Sequence, residues 1–105
     1  MPFHKRSAAD RDIDEAIAYY LAEAGAEIAV GSVEAFDRAM ERVCLHPATG
    51  SPRDGGLSGI GSLRFWTLNR FPYAVFYIEH DARIEVIRVL HQHSDIPLRL
   101  QGCET

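Results

Sequence analysis

The chain offers little material for covalent or metal chemistry. Its two cysteines, Cys44 and Cys103, stand far apart, and neither has a second ligand pair at metal-binding spacing. They read as free thiols of a reducing compartment, Cys44 in the core of a helix and Cys103 in a loose tail. His46, two residues after Cys44, makes a metal conceivable but is alone there, so neither metal nor cofactor is expected. Surplus positive charge is also lacking: 11 Lys and Arg face 15 Asp and Glu, for a formal net charge of −4. Residues 1–60 hold six cations against ten carboxylates, whereas residues 61–105 hold five of each. Affinity for phosphate backbones grows with the number of cationic contacts, so an acidic chain grips nucleic acid poorly outside a local basic patch. No stretch approaches the ~18 apolar residues of a bilayer span, and residues 1–10 lack the apolar core of a signal peptide. The expected location is the cytoplasm, with no membrane partner.

What remains is the composition of an ordinary globular protein, 47% hydrophobic and 25% charged over 105 residues. It is enough for one core and one domain, residues 1–105, with 94–105 as a C-terminal tail. Pro2 to Arg6 suits a short edge strand. Ser7-Ala8-Ala9-Asp10 has the spacing of a capping box with Asp in place of Glu, and Asp10, Asp12 and Asp14 suit the positive end of a helix dipole. Ile13, Ala16, Ile17, Tyr20 and Leu21 then repeat at helical spacing, and Gly25 ends the helix. A second helix is predicted from Ala26 to Leu45, with Val33, Phe36, Ala39 or Met40, and Val43 on one face. Gly31 weakens it by up to ~1 kcal/mol, and His46-Pro47 stops it. The two make a helical hairpin.

Residues 47–61, with five Gly and two Pro, read as a long loop. Strands follow at Ser62–Asn69, Tyr73–Glu79 and Ile84–His91, joined by turns at Arg70-Phe71-Pro72 and His80–Arg83; such short links imply an antiparallel meander. Alternation puts Val75 and Tyr77 on one face and Ala74, Phe76 and Ile78 on the other, with Ile84 and Val86 opposing Ile87 and Val89. The predicted class is α+β, in the order β-α-α-β-β-β, a helical hairpin on one face of a small, mainly antiparallel sheet. One hairpin covers one face. Tyr73, Tyr77 or similar groups would then lie exposed on the other and call for a protein partner, unless residues 96–100 supply cover.

Residues able to do chemistry gather near the ends of this block: Arg64, Arg88, His91 and His93. Cleavage of RNA through a 2′-hydroxyl needs a base near neutral pKa, a cation for the phosphate and an acid for the leaving oxygen. His91 and His93 suit the first and last, and Arg64 the second. The competing reading is plainer: a His at a strand end usually caps or faces solvent, and Arg64 suits an ion pair with Asp95 or Glu79. Trp66, Tyr73 and Tyr77 suit packing or protein contacts better than base stacking, which normally sits amid positive charge. Lys5, Arg6 and Arg11 form a small basic cluster of the kind that is usually only solvated.

Taken in order, Ser7–Ile13 with Ile17 and Tyr20, Pro47-Ala48-Thr49-Gly50, Leu63-Arg64, Phe71–Tyr77 and Ile87–His91 resemble the RelE/ParE toxin superfamily of bacterial toxin–antitoxin modules, from about Phe3 to Ile96. The Phe71-Pro72-Tyr73…Phe76-Tyr77 segment and the Arg88–His91 strand ending in Ser94-Asp95 look closer to ParE. No tyrosine follows Tyr77, so the C-terminal tyrosine often found in RelE-like ribonucleases is missing, as is their basic charge. The resemblance implies a toxin of the plasmid-stabilisation type that binds and inhibits DNA gyrase and is neutralised by a cognate antitoxin. Arg64, Trp66, Tyr73, Tyr77 and His91 would then contact antitoxin or target. It further implies a homodimer or toxin–antitoxin hetero-oligomer that meets operator DNA only through the antitoxin. The alternatives are a ribosome-dependent mRNA endonuclease using Arg64, His91 and Arg88, and a non-toxic antitoxin-binding module.

Overall fold

Two long helices and a sheet make up most of the computed structural model, which describes residues 2–52 and 63–101. Strand β1 (Phe3–Lys5) leads into α1 (Ser7–Ala24) and α2 (Ala26–Leu45). Gly25 alone turns one helix into the next, at φ 95° and ψ 170°, a conformation costly for any residue with a Cβ. After α2 the chain forms a 3₁₀ turn (Pro47–Thr49) and β2 (Ser51–Pro52), then β3 (Leu63–Thr67), β4 (Tyr73–Glu79), β5 (Ile84–His91) and α3 (Ile96–Leu100). The sheet order is β1-β5-β4-β3-β2. β1 pairs with β5 in parallel, and the other pairs are antiparallel. The α+β class and the helical hairpin match the sequence reading.

Several details differ. Ser7 is already helical, Arg6 occupies the cap position, and no side chain caps α1, so the capping box does not form. Asp10 instead meets Lys5 at 3.2 Å. The stretch expected to be loop contributes the 3₁₀ turn and β2 before residue 53; the remainder lies outside the described residues, as does Cys103. The first long strand ends at Thr67 rather than Asn69, because Leu68 and Asn69 already belong to the turn, where Arg70 takes φ 74°.

Helix faces also shift. Leu21 is 56% exposed and Val33 37%, since the inward face of α2 is set by Ala29, Ser32, Phe36, Ala39, Met40 and Val43. Small residues let the hairpin lie close on the sheet.

A bulge in β5 changes the alternation. Phe76 pairs with Arg88 and Tyr77 with Val86, leaving Ile87 as the extra residue. Val89 therefore returns to the helix side with Ile84 and Val86, instead of joining Ile87. Tyr77 is 0% exposed and lies beneath the helices, not on an open face. The far face holds Leu63, Ala74, Phe76, Ile78, Ile87 and Leu90, all buried, with Leu100 and Ile96 of α3 packed against it. The tail thus supplies the cover that the sequence left open, and the expected bare tyrosine face is absent. No described helix is long and apolar enough to cross a membrane.

Candidate functional site

The four residues singled out for chemistry do not converge. Arg64 lies opposite Tyr77 on β3, and His91 opposite Tyr73 at the far end of β5. At ~3.3 Å per residue and ~4.8 Å between strands, their backbones stand roughly 16 Å apart. Arg88, His91 and the turn after β5 share a shallow pocket of about 220 Å³ with Asp12, Glu15, Tyr19, Tyr73 and Arg99.

β1 pairs with β5 only as far as Val86, and Arg6 donates its backbone N–H to the Val86 carbonyl at 3.0 Å before α1 begins. Beyond that point the β5 edge has no partner strand among the described residues. Asp12 fills the gap. Its Oδ2 accepts the Val89 N–H at 3.0 Å and the Arg88 Nε at 2.7 Å, while Oδ1 accepts Nη2 at 2.9 Å. Such a two-pronged carboxylate grip holds the guanidinium in one geometry. Arg88 Nη1 also donates to the Arg99 carbonyl at 2.9 Å, tying α3 to the sheet edge. Arg88 is therefore engaged in an ion pair with Asp12.

His91 closes β5 half-buried, its ring edge-on to Tyr73 at 5.2 Å between centroids. The strand does not persist to His93. The chain turns, the His93 N–H donates to His91 Nδ1 at 3.0 Å, and the two rings come within 5.3 Å. That bond leaves Nδ1 as an acceptor, so the imidazole proton of neutral His91 rests on Nε2. Ser94 Oγ donates to the His91 carbonyl at 2.6 Å, and Asp95 accepts the Leu98 N–H at 3.2 Å to start α3. The Ser94-Asp95 pair thus serves the turn and cap that bring α3 back. Tyr73 stacks edge-on with Tyr20 and Phe36, and its hydroxyl pKa is raised by burial first and then by the charges of Tyr19, Asp12 and Glu15. Asp12 and Glu15 in this pocket balance Arg88 and Arg99, so it carries no surplus of positive charge.

At the other end, Arg64 Nη1 donates to the Gly50 carbonyl at 2.8 Å rather than to Asp95 or Glu79. The Tyr77 hydroxyl donates to the Pro47 carbonyl at 2.7 Å and accepts the Gly50 N–H at 3.0 Å. Burial raises the Tyr77 pKa, with the Gly50 bond and Arg64 working against it. A Cβ on Gly50 would strike the Tyr77 hydroxyl and approach the Phe65 carbonyl to 2.9 Å, so lack of space and not φ demands glycine here. Together these groups latch the chain after α2 onto β3 and β4. Tyr77→Phe removes both hydroxyl bonds and leaves a buried donor and a carbonyl unsatisfied. It should lower the unfolding free energy by about 2 kcal/mol in urea titration, and a loss under ~0.5 kcal/mol would refute the latch.

In the small N-terminal basic cluster, Lys5 meets Asp10 and Arg6 Nε meets Glu85 Oε2 at 2.9 Å. No group of three metal-binding side chains occurs among the described residues. Trp66 stands apart from all these, on a groove with Arg38 and Arg42, the Arg42 guanidinium lying 5.8 Å from its ring centre. Sequence reading missed Asp12 as an edge cap and the two arginines facing Trp66. Asp12 had a signal, since Asp12, Ala16 and Tyr20 share the inward face at i, i+4 and i+8. The arginines had none before folding brought α2 to β3.

Comparison with known proteins agrees with this architecture. The family model for the ParE toxin of type II toxin-antitoxin systems, parDE, matches residues 5–96. Among curated proteins no relative matches. Among solved structures, a chain described as "Chromosomal ParDE TA system from P. aeruginosa" is similar with a TM-score of 0.71 at 21% identity, over 87% of this chain and 95% of that one. At that identity the likeness is one of fold.

Proposed function

This chain belongs to the ParE toxin family of type II toxin–antitoxin systems, and we propose that it arrests growth by binding and inhibiting DNA gyrase until a cognate antitoxin neutralises it. The observation that carries a binding mode, as opposed to RNA cleavage, is the commitment of its cations. Arg88 is held by Asp12, and Arg64 is held by the Gly50 carbonyl roughly 16 Å from His91. A ribonuclease needs base, acid and phosphate-binding cation around one scissile bond. Here His91 shares its pocket with Asp12 and Glu15, whose charges offset those of Arg88 and Arg99. Exposed Leu21, Ile28 and Val30 near the hairpin tip add apolar surface of the kind a protein partner covers. On this reading the chain is one cytoplasmic domain that assembles as a toxin–antitoxin hetero-oligomer and reaches operator DNA only through the antitoxin.

Expression of the chain alone tests the proposal. Filamentation, a DNA-damage response and loss of supercoiling by purified gyrase on adding the chain are expected. Rapid loss of mRNA with cuts inside codons would overturn it in favour of the endonuclease, in which case His91→Ala should abolish cleavage. A chain without toxicity would leave an antitoxin-binding module.

A further inference from the structure

A groove of about 390 Å³ opens between the second half of α2 and the end of β3. Ala35 and Ala39 form its floor, Trp66 and Asn69 one wall, and Arg38 and Arg42 the rim. That lining holds two arginines and no carboxylate, in a chain of formal net charge −4. Neighbouring grooves differ: the one at the hairpin tip carries Glu27 and Glu34, the one beside His91 carries Asp12 and Glu15, and the one under β1 carries Asp37. Arg38 reaches Glu34 at 3.5 Å on the exposed helix surface, a contact of little strength. Arg42 has no carboxylate partner among the described residues and rests over Trp66 instead. Tryptophan and arginine side by side are the residue types that anchor protein interfaces.

Two further features choose the kind of occupant. Leu45, one turn beyond Arg42, is 64% exposed and continues the rim as an apolar ledge, in an adjoining hollow whose one carboxylate is Glu41. β2 pairs only with Arg64 and Phe65, so on the side of β3 away from β4 no strand of the described residues is paired with Trp66 or Thr67. An extended peptide placed there would find an open sheet edge, a small-residue floor for an apolar side chain and two guanidinium groups for carboxylates. Nucleic acid would use the arginines but neither the alanine floor nor Leu45.

We propose that this groove receives an acidic, extended segment of the antitoxin, with an apolar side chain set against Trp66 and carboxylates on Arg38 and Arg42. The proposal rests on the reading that an antitoxin holds this chain. Trp66 is the sole tryptophan, so its emission reports on the groove alone. The chain is co-expressed with the protein encoded beside it, any tryptophan of that partner being replaced by Phe, and the complex is purified.

In the complex, Trp66 emission should move to shorter wavelength and resist quenching by acrylamide. The double variant Arg38→Glu/Arg42→Glu should weaken the complex about tenfold or more, and added salt should weaken the wild-type complex in the same direction. The free chain should show no Trp66 response to a 12-nucleotide single-stranded DNA. An intact complex with unchanged Trp66 emission and an unaffected double variant would overturn this assignment while leaving the proposed toxin function standing. Quenching by the oligonucleotide that Arg42→Gln removes would give the groove to nucleic acid. Failure to form any complex would end both readings.

Discussion

Asp12→Ala should lower the unfolding free energy by about 3–5 kcal/mol, the largest loss expected of any single side chain outside the apolar core. Asp12 and Arg88 are 11% and 17% exposed, so neither can turn to water when its partner is removed. The carboxylate accepts two bonds from the guanidinium and one from the Val89 N–H. Removing it strands a charge and a backbone donor at the one stretch of β5 that β1 does not cover. Asp12→Asn keeps an acceptor without the charge and should fall between wild type and Asp12→Ala. The double variant Asp12→Leu/Arg88→Met removes both charges and should recover a large part of the loss, because an apolar pair of similar volume often replaces a buried ion pair at little cost. Urea midpoints decide the matter: a loss under ~1 kcal/mol for Asp12→Ala would mean that the other contacts of Arg88, the Arg99 carbonyl among them, suffice to hold it. Any drop in toxicity of Asp12→Ala should follow the folded fraction.

Much of this architecture was legible in the sequence, for physical reasons that also explain the gaps. α2 runs from Ala26 to Leu45 as read, because Gly25 and His46-Pro47 bound a continuous helical pattern with local stop signals. β4 and β5 were equally clear from β-branched and aromatic density. What failed depends on pairing across the chain. The bulge at Ile87 is a relation between β4 and β5 and leaves no mark in either strand alone, yet it moves Val89 to the opposite face. Tyr77 was expected on the face that a single hairpin leaves uncovered; its true partners, Pro47 and Gly50, lie 30 and 27 residues away. The candidate site suffered in the same way. Arg64, Arg88, His91 and His93 are close in a list of strand ends, but register separates the first from the others and Asp12 claims the second. Four chemically capable side chains became a latch, an ion pair and a paired-histidine turn.

Glu85 supplies the other large effect, and it appears only in acid. Its carboxylate accepts from Arg6 Nε at 2.9 Å and meets His80 Nε2 at 3.0 Å, with the side chain 16% exposed. The Arg6 hydrogen bond is the main reason its pKa falls from 4.5 to about 2, ahead of an opposing rise from burial and a further lowering by His80. A carboxylate with a depressed folded pKa binds its proton more weakly in the folded state than in the unfolded one. Its contribution to stability is therefore complete above the unfolded value near 4.5 and disappears as pH falls toward about 2. A shift of that size corresponds to something on the order of 2–3 kcal/mol. Glu85→Gln should be less stable than wild type by roughly that amount at pH 7, and the gap should close between pH 4.5 and pH 2. Other carboxylates titrate in both proteins and cancel in the difference. Arg6→Gln should move the acid limb of the wild-type profile to higher pH, since it removes the principal cause of the depression. A gap that stays constant down to pH 2 would refute the assignment. The location gives the effect a local signature as well. Glu85 lies opposite His4 in the β1–β5 pairing, and Arg6 is the residue that carries β1 into α1. Protonation should therefore free the three-residue β1 before the rest of the sheet, so that the Arg6 and Ile84 amides, which donate to the Val86 and Pro2 carbonyls, lose exchange protection at a higher pH than those shared by β4 and β5.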